Sequence, residues 1–101
     1  MIDRELLRNA AKAAGIELVK LDEHQDVLVN GDEWNPLTDD GDALRLAVEL
    51  RMNVDAWGSG ASAVVFVNNR AQVLEQHYGD DPERATRRAI VRAAAQIGAK
   101  P

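Results

Sequence analysis

The chain has 101 residues, a formal net charge of −5, 46% hydrophobic residues and no cysteine. That length suits one domain with one core, and the composition is that of a folded chain. The missing cysteines exclude disulfides, thiolate nucleophiles and thiolate metal sites, and the acidic balance argues against general binding to nucleic acid or anionic membrane.

No apolar run approaches the roughly 20 residues needed to span a bilayer. Met1-Ile2-Asp3-Arg4-Glu5 lacks the apolar core of a signal peptide, so a cytoplasmic protein is expected. Aromatic residues make up only 4% of the chain against sixteen alanines, so the core must be Leu, Val and Ile closed up by Ala. Charge is unevenly spread. Asp22 to Asp42 holds eight carboxylates and no Lys or Arg, whereas Arg84 to Pro101 holds four Arg, one Lys and no carboxylate. Two faces that meet each other are expected, with two faces that meet different partners as the alternative.

Ile2 to Ala14 reads as a helix with Leu7, Ala10, Ala11 and Ala14 inward, Asp3 as cap, and Gly15 placed to end it. Arg4, Arg8 and Lys12 form a solvated stripe on another face. Ile16 to Leu21 and Asp26 to Asn30 read as an antiparallel hairpin. After the turn at Gly31, Trp34-Asn35-Pro36 leads into a helix capped by Thr38 or Asp39. Its expected inner face is Ala43, Leu46, Ala47 and Leu50, widened by Leu44 and Val48, which implies a helix pressed onto a sheet.

Asn53 to Trp57 reads as a strand, followed by a Gly58-Ser59-Gly60 turn. Ala63 to Val67 is the most apolar run, as expected of a central strand covered on both faces. Asn68-Asn69 suits a hairpin turn, with Gln72 to Tyr78 returning as an outer strand. Asp81 and Pro82 open a last helix with Thr86, Ala89, Ile90, Ala93, Ala94 and Ile97 inward, and Gly98 ends it. The order α-β-β-α-β-β-β-α predicts an α+β domain over residues 1–101. A mostly antiparallel sheet with helices on both faces gives a three-layer α/β/α sandwich.

No catalytic set is legible. Asp39, Asp40 and Asp42 miss calcium-loop spacing and read as partners of a helix N-terminus. His24 and His77 lie in different elements, which does not suit a zinc site. Ser59 sits in a glycine turn with strand flanks, unlike a nucleophile elbow. Neither a cofactor nor a metal is expected.

The candidate binding residues are Arg84, Arg87, Arg88 and Arg92 on the last helix, with Trp34 and Trp57. Arginines at i, i+4 and i+8 can hold an anionic ligand or an acidic partner. Pairing with the carboxylates of residues 22–42, or plain solvation, is the plainer expectation. Trp34 reads as a staple onto its helix, and both tryptophans have a stacking alternative. Val91 and Ala95 lie opposite the last helix's core stripe and offer a surface for a second copy of the chain.

Trp34-Asn35-Pro36-Leu37, Asp39-Asp40-Gly41-Asp42-Ala43 and Arg45-Leu46-Ala47-Val48 resemble the central signature of a group of small phage and prophage proteins. Ala85-Thr86-Arg87-Arg88-Ala89-Ile90-Val91-Arg92-Ala93-Ala94-Ala95 is similar to that group's closing helix. The group is associated with the phage ABA-sandwich domain, named for its helix–sheet–helix layering. The resemblance implies expression inside a bacterial host and a role during infection or lysogeny. It brings no catalytic residues with it. The expected function is a non-enzymatic interaction protein binding a host or phage macromolecule. The alternative is a binder of a nucleotide-like small molecule, stacked on a tryptophan and held by arginine.

Overall fold

Helix α1, Asp3–Ala14, opens a computed structural model that describes residues 3–65, 71–76 and 81–99. Gly15 takes φ 71°. Its N–H donates to the Lys12 carbonyl at 3.2 Å, and that of Ile16 to the Ala11 carbonyl at 2.8 Å. These two bonds satisfy carbonyls that the end of a helix would otherwise leave open. Leu6, Ala10 and Ala11 are buried, with Leu7 and Ala14 partly so.

Strands β1, Leu18–Lys20, and β2, Asp26–Leu28, pair antiparallel with Leu18 opposite Leu28. Helix α2, Asp40–Glu49, follows. Strands β3, Asn53–Trp57, β4, Gly60–Val65, and β5, Ala71–Gln76, then form a second antiparallel sheet in that spatial order. Helix α3, Pro82–Gly98, closes the chain with Asp81 as its N-cap. The class is α+β, and the element order is the one predicted. Asn68-Asn69, His77 and Tyr78 lie outside the described residues.

The register sets the faces of the second sheet. Val54 stands opposite Ala63, and Ala63 opposite Val73, so these three share one face. Ala61, Ala63, Val65, Ala71 and Val73 are buried there, against α3. The other face carries Asp55, Ser62 and Leu74 in one row, and Leu74 is 58% exposed. Among the described residues the helices therefore cover one face of this sheet, and the layers run sheet, α3, α1. No described helix packs on the other face of this sheet. In β4, valine stands on both sides, Val65 buried and Val64 half-buried, so the change of burial there does not show as a change of residue type.

Small residues bring α1 and α3 together. Ala10 and Ala11 of α1, with Ala93, Ala94 and Ala95 of α3, lie in the core. A β-carbon at Gly98 would overlap the Asn9 carbonyl oxygen. Gly98 is thus a contact residue inside α3, which Ala99 caps, rather than the residue that stops it. Val91 and Ala95 are buried as well, so the surface expected to receive a second copy lies inside the molecule.

Helix α2 also departs from expectation. Ala43, Leu46 and Ala47 are buried, but Leu44 is 65% exposed and Val48 is 60% exposed. Its main packing partner is α3 and not the sheet. Two large apolar side chains are left uncovered as a result.

Candidate functional site

The Trp34–Asp42 segment is organised by backbone bonds to short polar side chains. Asn35 Oδ1 accepts from the Leu37 N–H at 3.0 Å, while the Asn35 N–H donates to Asp42 Oδ2 at 2.9 Å. Asp39 caps α2 by accepting from the Asp42 N–H at 2.8 Å. Arg45 donates to Asp42 at 2.7 Å. Asp40, the third carboxylate, pairs with Arg87 at 2.7 Å. Capping and pairing thus engage all three.

Arg87 donates through Nε to the Leu37 carbonyl at 2.9 Å and through Nη1 to Asp40. Arg88 and Arg92 both approach Glu75 Oε1 at 3.0 Å, off the hydrogen-bond direction, so charge rather than a directed bond joins them. Arg88 also lies 4.0 Å from Asp3. The arginine row therefore divides. Arg87 faces α2, Arg88 and Arg92 face β5, and Arg84 is exposed with no ion pair among the described residues. Of the acidic 22–42 stretch, only Asp40 meets this helix. Asp26 instead takes Arg8 at 2.7 Å and Arg4 at 2.9 Å, so those two arginines are not the free stripe expected.

The tryptophans do not join the arginines. Trp34 is 8% exposed and belongs to the core. Trp57 is exposed, donates through Nε1 to Ser59 Oγ at 3.1 Å, and lies over Gly60. Its place is on β3, whereas Glu75 and its arginines gather at β5, across the sheet.

Sequence reasoning missed one apolar concavity. A groove of about 410 Å³ runs between α2, β3 and the first turns of α3. Ala43, Leu44 and Ala47 form one wall, Val54 and Ala56 the other, and Ile90 lies at its base. Polar groups are confined to the end where Asp40, Glu83, Thr86 and Arg87 stand. The exposure of Leu44 and Val54, two large apolar residues in one depression, marks a surface suited to a partner. The signal in the sequence was the excess width of the apolar face of α2.

A second cavity, of about 420 Å³, brings His24 together with Asp22, Asp26, Glu33 and Trp34. Both of these aspartates are already engaged by hydrogen bonds. Hydrogen bonds from Arg8 and Arg4 hold Asp26 far below the usual carboxylate range. The backbone N–H of His24, with that of Gln25, lowers Asp22. Arg4 also donates to the Glu23 and Asp22 carbonyls. The arrangement ties α1 to the β1–β2 turn, and neither aspartate is poised to take up a proton near neutral pH.

Comparison with protein-family models, curated proteins and solved structures finds no match. No helix among the described residues is long and apolar enough to cross a membrane.

Proposed function

We propose that this chain is a small interaction protein, of phage or prophage origin and working in the bacterial cytoplasm, that binds a host or phage macromolecule through the α2–β3–α3 groove. The observation that carries the reading is the exposure of Leu44 and Val54 in one depression with apolar walls. Such a depression retains apolar surface that a partner removes from water, at roughly 25 cal/mol per Å². Arg4, Arg8, Arg45, Arg87, Arg88 and Arg92 are engaged with the chain's own carboxylates, which fits a protein that presents a surface. The resemblance of the Trp34–Val48 and Ala85–Ala95 segments to phage proteins supplies the proposed origin.

A nucleotide-like ligand is less well supported, because Trp34 is buried and Trp57 lies across the sheet from Arg88 and Arg92. Affinity capture from infected and uninfected bacterial lysate tests the proposal, with Leu44→Asp as the control. Recovery of a species by the wild type that Leu44→Asp loses supports it. Identical recovery by both proteins contradicts it.

A further inference from the structure

We propose that the groove accepts an extended, basic segment of a partner protein, which pairs with β3 as a fourth strand of the β3–β4–β5 sheet. The inference rests on the groove being the recognition surface and adds how it recognises. Three observations lead to it.

The first is the edge. β3 pairs with β4 on one side only, and all five of its residues are exposed. Its backbone groups on the free side make no ladder with any described strand. An exposed edge of this kind is a template for another chain.

The second is a mismatch between the layers. The sheet ends at β3, but α2 lies beyond α3 on that side, with Leu44 forming a wall of the groove beside Val54 and Ala56. An added strand would cover this space. Every second side chain would drop onto Leu44, Ala43 and Ala47, and the alternate ones would lie on the open face beside Asp55 and Trp57.

The third is charge, which chooses the occupant. Asp55 in mid-strand and Glu83 at the groove's end are exposed, and neither has an ion pair among the described residues. Arg87, the cation at the groove, is already paired with Asp40. The unpaired charges lining the groove and on β3 are therefore negative, and an incoming strand with Lys or Arg on its outward side beside Asp55, and at its end by Glu83, complements them. A second copy of this chain is a poorer fit. Antiparallel self-pairing centred on β3 places Asp55 directly opposite Asp55 of the second copy, and like charges so placed are destabilising.

Selection from a random 12-residue peptide display library against the whole protein, with Leu44→Asp for counter-selection, tests this. The expected peptides alternate apolar residues with Lys or Arg, and they bind Leu44→Asp and Val54→Asp at least about tenfold more weakly. Methylating alternate backbone nitrogens of a selected peptide removes strand donors while keeping its side chains, and is expected to weaken binding by at least about tenfold. Four results overturn the proposal. One is Leu44-dependent peptides with apolar residues at helical spacing, which would leave the groove as a recognition surface but exclude strand addition. Another is acidic peptides, and a third is peptides indifferent to N-methylation. The last is no enrichment over Leu44→Asp together with a dimer in sedimentation that Val54→Asp dissociates, which would make a second copy the occupant.

Discussion

Arg87 donates to the carbonyl of Leu37 at 2.9 Å across fifty positions of sequence. With its second bond to Asp40, it locks the start of α2 onto α3 and so fixes one end of the groove. The Trp34–Val48 and Ala85–Ala95 segments are thus joined in space by one side chain. Arg87→Ala removes both bonds and leaves a carbonyl without its donor. It should cost about 1–2 kcal/mol in urea denaturation, whereas Arg87→Lys should recover only part, because an ammonium lacks the guanidinium fork.

The α1–α3 crossing should be intolerant of a single methyl group. At an exposed helical site Gly→Ala stabilises by about 0.5–1 kcal/mol. At Gly98 the new β-carbon meets the Asn9 carbonyl, which is backbone and cannot swing aside. Overpacking therefore decides the sign. Gly98→Ala should lower stability by about 2 kcal/mol and the melting temperature by roughly 10 °C, measured by circular dichroism.

Arg51 makes the opposite case. It sits at φ 55° after α2, where the Arg51 N–H donates to the Val48 carbonyl at 3.2 Å and the Met52 N–H to the Ala47 carbonyl at 2.9 Å. The same pair of bonds ends α1 at Gly15, and there a glycine occupies the left-handed position. The left-handed conformation costs a side-chain-bearing residue roughly 1 kcal/mol, and the greater freedom of an unfolded glycine offsets part of that. Arg51→Gly should raise stability by about 0.5 kcal/mol, and a melting temperature below that of the wild type would contradict the account.

How far the sequence reaches can be judged from these same residues. Local chemistry was readable. Asp39 and Asp81 cap their helices, Pro82 sits in the first turn, and Gly15 ends α1, because each depends on neighbours a few positions away. Element order followed from hydrophobic periodicity. The destinations of side chains were not readable. Nothing local distinguishes Arg8, which crosses to Asp26, from Lys12, one turn on. Alanine was the other obstacle, since it suits a core, a close helix contact or a surface equally. Val91 and Ala95 read as a second face because the chain alone does not tell that α1 would cover α3. The groove was hidden for the converse reason: Leu44 and Val48 were assigned to a core that does not reach them.

Acid should expose the role of Asp26. Arg8 and Arg4 depress its folded-state pKa, so its contribution is fully present above the unfolded carboxylate value of about 4. It is lost as pH falls from there through the folded-state value. Because Arg8 is half exposed, solvent screens that pair, and Asp26→Asn should cost only about 1 kcal/mol at pH 7. The gap between the two proteins should close as the solution is acidified below pH 4, followed by urea denaturation across that range. A gap that widened in acid would contradict the pairing.

The central claim is that partners are recognised in the groove between α2, β3 and α3. Its most direct test is a photo-reactive benzophenone side chain in place of Leu44 or of Lys12, which is exposed on α1 outside the groove, irradiated in bacterial cells that express the protein. Discrete cross-linked adducts from position 44, absent from position 12, are the predicted result. The same adducts from both positions, or adducts from position 12 alone, would contradict it.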